Sequence, residues 1–391
     1  MSTKSKGRIV VAGILFTFPI GGVIWQHVHL LVGLRRLGYE VIYVEMNDYY
    51  PNDYEGDGSF PDVERVVRRV AALLDRFGFA ERWHYRITWE ENTWGITPEA
   101  AREAIRSADA FINLCGAHIP DDDMMACPRR ILLETDPVEL QVELGKGLEN
   151  AYDMLRRHTT LFTYGENIGT PHCLLSTGGF TWHPTRQLVL LDEWQTDFLP
   201  DASASYSTIG NWDVVGKDLE IDGTIYHWQK GLEFLKVREL PRRVSASFML
   251  AMRFGNPEDQ TMMEAHGWGT CPVLDISLDI DNYRRFIQGS RGEYTVAKEQ
   301  NIVFQTGWFS DRAVTYLAAG RPVINQDTGF AHNLPTGAGL FSFRDMADSV
   351  AAIECIESDY PRHSAAALEI ARAYFHYDVV LPPMLRLAGL E

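Results

Sequence analysis

The sequence predicts an α/β protein of two halves, each a mostly parallel sheet wrapped by helices, facing one another across a cleft. Three observations predict it. Continuous apolar runs such as "RIVVAGIL" (8–15) and "PVIN" (322–325) read as strands buried on both faces. Such runs alternate with amphipathic helical stretches along the whole chain. A polar, small-residue stretch, "QTDFLPDASASYS" (195–207), divides that alternation into two sets and reads as a linker. The expected domains are therefore residues 1–195 and 205–375, with a helical tail at 376–391.

In the first half, the strand at 8–15 is followed by a loop with Pro19, Gly21 and Gly22. A helix then runs to Gly38, a natural C-cap, and "EVIYVEM" (40–46) is the next strand. Helices are predicted over 62–78 and 98–108, and strands in "DAFINLCG", "RRILLETDP", "LFTYGENIG" and "RQLVLLDEW". The second half predicts strands in "STIGNW", "SASFMLAM", "CPVLDIS", "NIVFQTG" and "PVIN". Helices lie around "YHWQKGLEFLKV", "EDQTMMEAHGW", "DIDNYRRFIQGS" and 310–319, and two more close the domain.

Composition narrows the function. Hydrophobic residues make up 46% of 391, enough for a large core. The formal net charge of −17 predicts a surface that repels phosphate backbones, which argues against a nucleic-acid partner. Cys115, Cys127, Cys173, Cys271 and Cys355 are odd in number and contain no C-x-x-C pair, so neither a disulfide framework nor a structural zinc site is expected. No apolar run approaches the ~20 residues of a membrane helix. The expectation is a soluble, cytoplasmic protein.

The stretch "TGWFSDRAVTYLAAGRPVINQDTGF" (306–330) carries the strongest functional signal. Ser310 sits where an N-cap belongs, Asp311 is in the first turn, and Gly320 closes the helix. A helix start offers free N–H groups and a partial positive charge, which suits a phosphate. Gly307 and Gly329 would let the backbone approach a ligand. Arg312 and Lys298 would neutralise a diphosphate.

"YLAAGRPVINQDTGF" resembles the donor-site element of GT-B glycosyltransferases, in which a helix ends "A-x-G-x-P-V-I" before a glycine loop. "FPIGGVIWQHVHLLVGLRRLGYEVIYVE" is similar to the first glycine loop and helix of that class. More closely, "ETDPVELQ", "FTYGENIGTPHC", "WHPTRQLV", "TIGNWDVVG", "YHWQKGLEFLKV" and "SRGEYTVAK" resemble an uncharacterised bacterial group of glycosyltransferase-like proteins, from about residue 8 to 345. The resemblance implies two Rossmann-like domains, the first binding an acceptor and the second a nucleotide-diphosphate sugar. It implies transfer of a hexosyl or related group from that donor to the hydroxyl of a small molecule or glycan, with no cofactor and no metal. The same fold serves nucleotide-sugar epimerases, and a non-catalytic sugar-nucleotide-binding protein is a further alternative.

One departure stands out. Many retaining members carry "E-x-F-G-x-x-x-x-E-A-M-A-x-G" here, and this chain has Gly307 and Thr315 at the two Glu positions. Asp311 or Glu293 is the candidate substitute. The donor residues expected on this basis are Gly210, Asn211, Trp212, Glu293, Lys298, Gly307, Trp308, Ser310, Asp311, Arg312, Asp327, Thr328, Gly329 and Phe330. Gly21, Gly22 and Trp25 are expected to shape the acceptor side of the cleft. Asp136, held at a strand end by Pro137, and His27, on the first helix, are the candidate bases. Arg312 would stabilise the leaving diphosphate.

Overall fold

In the computed structural model the described residues are 5–390, except 57, 59 and 215. Residues 1–4 and 391, the outer ends of the expected first domain and tail, lie outside them.

The first sheet has eight strands: β1 (Arg8–Ala12), β2 (Glu40–Asn47), β3 (Trp83–Ile87), β4 (Thr93–Gly95), β5 (Ala110–Leu114), β6 (Arg130–Glu134), β7 (Thr160–Thr163) and β8 (Trp182–Pro184). Their order is β4-β3-β2-β1-β5-β6-β7-β8, parallel except for the β3–β4 edge pair. A hairpin sits apart: among the described residues β10 (Leu219–Ile221) pairs only with β11 (Thr224–Tyr226). The second sheet holds β9 (Tyr206–Asn211), β12 (Phe248–Arg253), β13 (Gly269–Pro272), β14 (Gly292–Thr295), β15 (Val323–Gln326) and β16 (Leu340–Phe343). It is wholly parallel, in the order β13-β12-β9-β14-β15-β16.

Each sheet reverses its direction of growth once, between β1 and β5 in the first and between β9 and β14 in the second. Loops leaving the carboxyl ends on either side of such a point diverge and open a crevice. The loops after β1, β5, β9 and β14 are thus the ones that topology aims at a ligand.

The two halves share one apolar core. Trp25 and Trp194 of the first half are buried in one cluster with Tyr283, Phe309 and Leu317 of the second. The last helix, Tyr377–Leu387, returns to the first half, where Leu381 lies against Gly33 of the first helix, Gly21–Arg36. Ion pairs Arg76–Asp281 and Arg284–Glu193 tie the halves on the outside.

Three predicted strands take other forms. "NIVFQTG" is instead the end of a short helix, Glu299–Val303, and a turn. Helical spacing turns Gln300 and Asn301 inward, where they bond the Lys217 and Tyr226 carbonyls and the Thr306 hydroxyl. The strand position belongs to β14, whose Gly and Glu hide its character. "CPVLDIS" ends β13 and becomes the helix Val273–Ser277. "RQLVLLDEW" makes a single bridge from Val189 to His376 before a four-residue helix, Leu191–Trp194.

Candidate active site

A cavity of about 310 Å³ opens where the topology directs it. One wall is the start of the first helix, with Gly22, Val23, Trp25 and Gln26. Opposite lie Ile209, Gly210 and Asn211 at the end of β9, and Ser310, Asp311, Arg312 and Thr315 at the start of the Asp311–Ala318 helix. Tyr283 packs against Gly21 and closes the side. Trp25 bridges the halves through its indole N–H to the Ile280 carbonyl, 3.2 Å away.

Neither helix start is capped by a side chain. Ile20 caps the first helix without a side-chain bond, and its first turn holds no acidic residue. Ser310 likewise makes no capping bond, and the one acidic group in that first turn, Asp311, is held toward its neutral form by burial. Free N–H groups and two positive dipole ends therefore converge on the cavity, an arrangement that favours an anion.

Arg312 is a fixed charge. Its Nε donates to Glu293 Oε1, Nη1 to the Ile209 carbonyl and Nη2 to Thr295 Oγ1. Glu293 is fully buried on β14, with Oε2 lacking a hydrogen-bond partner among the described residues. This corrects the expected role of Glu293. It lies beneath Arg312 and orients it, too deep to hold a ribose.

Lys298 follows β14 and reaches the first half, where its ammonium bonds both oxygens of Asp136 at 2.7 and 2.9 Å. The same ammonium stands 3.3 Å from the centre of the Trp228 ring. Burial lowers the Lys298 pKa, with Asp136 opposing. Asp136 occupies the carboxyl edge after β6, as its Pro137 predicts, and Val138 beyond it has φ of +106°. A β-branched residue tolerates that conformation only under constraint. The constraint is the Gln141 side chain, whose carbonyl accepts the Val138 N–H and whose amide donates to buried Glu134.

Lys230 was not foreseen. Its side chain has no hydrogen-bond or ion-pair partner among the described residues. Burial pushes its pKa well down, and the charges of Arg312 and Lys298 push the same way, with Glu293 and Asp136 opposing. Lys230 holds the N-cap position of the Gly231–Lys236 helix. A lysine where Ser, Asp or Asn is preferred is the sequence signal that marks it. Lys230, Lys298 and Arg312 form a basic cluster in which Lys230 has no partner among the described residues.

Asp311 lies at the cavity and accepts a bond from Gln26 across the cleft, 3.2 Å. Burial raises its pKa to about 7. The folded state thus holds a proton that the unfolded chain, with an ordinary value of 3.8, has released. This contribution to stability is present below the unfolded value and is lost as pH rises through the folded one. Asp311→Asn is expected to gain melting temperature relative to the wild type between pH 4 and 7, then run level. Paired melting curves across that range check it.

Several expected ligand residues belong to the core or the junction. His27 is fully buried; Nδ1 faces the Val23 carbonyl and Nε2 accepts the Ile14 N–H, and burial lowers its pKa to about 4. With both ring nitrogens committed, it is not a base for an acceptor. Trp212 is stacked on Phe234 and bonded to Asp259, inside the second half. Gly307, Trp308 and Gly329 join the halves, and Asp327, Thr328 and Phe330 brace them from within the second. A Cβ on Gly307 or Gly329 would meet Asn167 at 2.9 or 2.6 Å. Asn167 donates from its amide to the Gln305 and Gly329 carbonyls, and from its backbone to Thr306. Trp308 Nε1 donates to the Thr135 carbonyl, and the Thr328 hydroxyl to the Trp308 carbonyl. Asp327 accepts the Gly329 N–H, and Phe330 packs on Phe309. The close approach that these glycines permit is that of Asn167, replacing the phosphate expected there.

Gly329→Ala tests this directly. With φ at +85° and Asn167 in the way, the variant is expected to lose ~1–2 kcal/mol from the left-handed backbone alone, and more from the clash. Urea denaturation measures the loss. Stability equal to wild type would return Gly329 to a ligand role.

No protein-family model and no curated protein matches the chain. Solved structures do. An alpha-glucosyltransferase in complex with UDP-glucose and abasic-site DNA is 12% identical with TM-score 0.59, over 98% of both chains. Anabaena Alr3699/HepE in complex with UDP and glucose is 10% identical with TM-score 0.57, over 98% of this chain and 99% of that one. AviGT4, a glycosyltransferase involved in avilamycin A biosynthesis, is 12% identical with TM-score 0.56, over 98% of each. The fold is that of the GT-B glycosyltransferases.

These structures correct one expectation. Acidic balance argued against nucleic acid, yet alpha-glucosyltransferases with DNA are among the full-length matches. A net charge of −17 averages the whole surface. Binding answers to the local potential, within a Debye length of ~10 Å.

Proposed function

We propose that this protein transfers a hexosyl or related glycosyl group from a nucleoside-diphosphate sugar to an acceptor hydroxyl. The observation that carries the reading is Lys230, without a partner among the described residues, in a cluster with Lys298 and with Arg312, which stands in the first turn of an uncapped helix at the cavity, in this fold. The diphosphate would lie against that cluster, with Gly210, Asn211 and Ser310 as its cavity neighbours. Gly22 and Trp25 would face the acceptor.

Asp136 would serve as base. In the ligand-free arrangement its oxygens are occupied by Lys298. An arriving diphosphate competes for that ammonium and frees the carboxylate. The acceptor hydroxyl then gives its proton to Asp136 as its oxygen bonds the anomeric carbon. The bond from that carbon to the diphosphate oxygen breaks, and the electron pair leaves with the diphosphate. Fixed positive charge costs no reorganisation as the negative charge develops.

The test is a thermal-shift screen with UDP, GDP, ADP, TDP and CDP. UDP comes first because it is present in similar structures. A nucleotide at about a hundred times its Kd stabilises the native state by ~2.7 kcal/mol. A shift with one nucleotide, followed by sugar transfer from its sugar conjugate, is the expected result. No shift with any of them sinks the reading. A shift without transfer to any acceptor reduces it to binding.

A further inference from the structure

We infer that the carboxyl edge of the first sheet carries a second pocket, which holds a neutral sugar unit of an extended glycan acceptor. This rests on the glycosyl-transfer reading and names its acceptor class. The pocket has a volume of about 380 Å³, and its walls include Asn47 and Asp48 after β2, Arg86 and Thr88 around the end of β3, and His118 and Asp121 after β5. None of these residues lines the cavity between the halves.

His118 is the key observation. It is 5% exposed, and its Nε2 accepts the Met46 N–H at 2.9 Å. That bond leaves the ring proton on Nδ1, which has no partner among the described residues. Its backbone is pinned as well, by both ends of the Asn113 amide. Burial lowers its pKa to about 4, so the ring stays neutral and Nδ1–H stays a donor. A buried donor without an acceptor is costly, and a site that keeps one is built for a ligand oxygen.

Beside the pocket stands an aromatic platform. Trp89 is 53% exposed, yet its indole is fixed by a bond to the Asp48 carbonyl at 2.8 Å and by the edge of Tyr50 at 4.7 Å. Phe60, 69% exposed, flanks Tyr50 on another side at 4.5 Å. Such rings bury a large apolar face at little entropy cost, because they are already held.

The chemistry selects the occupant. A pyranose presents an apolar C–H face and a rim of hydroxyls, each both donor and acceptor. The platform matches the face. His118 and Arg86 offer donors to the rim, Asp48 and Asp121 offer acceptors, and Thr88 offers both. A phosphate or other anion would meet those two carboxylates, with Glu90 and Glu91 near Trp89. A purely apolar group would leave the His118 N–H dry. The pocket is also tied to the reaction cavity. Asn47 donates to the Thr17 hydroxyl, and Asn52 to the Thr17 carbonyl, in the loop that runs on to Ile20 at the cavity wall. One extended acceptor would thus lie along one loop.

The experiment is binding of the full-length protein to an immobilised array of neutral, sialylated and sulfated glycans with duplex DNA alongside, repeated for Trp89→Ala and His118→Leu. The expected result is retention of neutral glycans, weakened at least tenfold in both variants, with the nucleotide-induced melting shift unchanged. Trp89 is exposed, so its variant remains informative if His118→Leu fails to fold. Retention of only acidic glycans or DNA, no retention at all, or wild-type binding by the Trp89 variant overturns the pocket. A nucleotide shift without neutral-glycan retention removes the pocket and leaves the transfer reading standing. Absence of any nucleotide shift removes the transfer reading itself.

Discussion

Lys230→Ala is expected to abolish the nucleotide-induced melting shift while leaving the ligand-free protein as stable as the wild type, or more so. The two effects have one cause. The Lys230 amine sits with Arg312 and Lys298 and has no hydrogen bond or ion pair among the described residues. Removing it relieves repulsion and desolvation, so the empty protein gains. In the complex, the same ammonium would donate to a diphosphate oxygen. Hydrogen bonds to charged groups contribute ~1.5–3 kcal/mol, so its loss weakens binding by about one to two orders of magnitude. That offsets most of the ~2.7 kcal/mol available at a hundredfold excess over Kd. Melting curves with and without nucleotide measure both effects. A structural lysine would behave in the opposite way, with lower stability and binding intact. Lys298→Ala is a useful contrast, since Lys298 is paired with Asp136 when empty.

How much of this was legible in the sequence depends on what each residue meets. The helix start at Ser310–Arg312 was legible because a helix that feeds the parallel strand β15 begins at that sheet's carboxyl edge, and the β9 exit at Gly210–Asn211 because it ends a predicted strand; both line the cavity. Gly307 and Gly329 were legible as points of close backbone approach, but their neighbour was not. Asn167 arrives from the other half, and no local pattern names it. Glu293 and Arg312 were both singled out, yet their pairing depends on a strand, β14, that the apolar run after it obscured. His27 looked like a cleft histidine because the first helix begins at the cleft. One turn of rotation instead points it to the Ile14 backbone. Lys230 left one faint trace, a lysine at an N-cap position, and the charges that give it meaning come from elements distant in sequence. Net charge misled for the same reason: it carries no position.

Glu293→Gln is expected to be the most destabilising single change in the site. Arg312 is 12% exposed at its side chain and Glu293 is wholly buried, so removing the carboxylate charge strands a guanidinium in a poorly hydrated place. Breaking a buried pair from one side costs ~3–5 kcal/mol, here toward the lower figure because the glutamine carbonyl still accepts from Nε. Replacing both residues together, Glu293→Leu with Arg312→Leu, is expected to recover most of that loss, since an apolar pair of similar volume has no charge to desolvate. Nucleotide binding separates the two roles of Arg312. The double variant should fold and bind weakly, because a fixed positive charge has gone from the edge of the cavity. Urea denaturation with a nucleotide titration on the single and double variants decides it. If Glu293→Gln is as stable as the wild type, Arg312 has swung into the cleft and acts as a mobile clamp. If the double variant binds as tightly as the wild type, the pair serves the fold alone, and the lysines carry the anion by themselves.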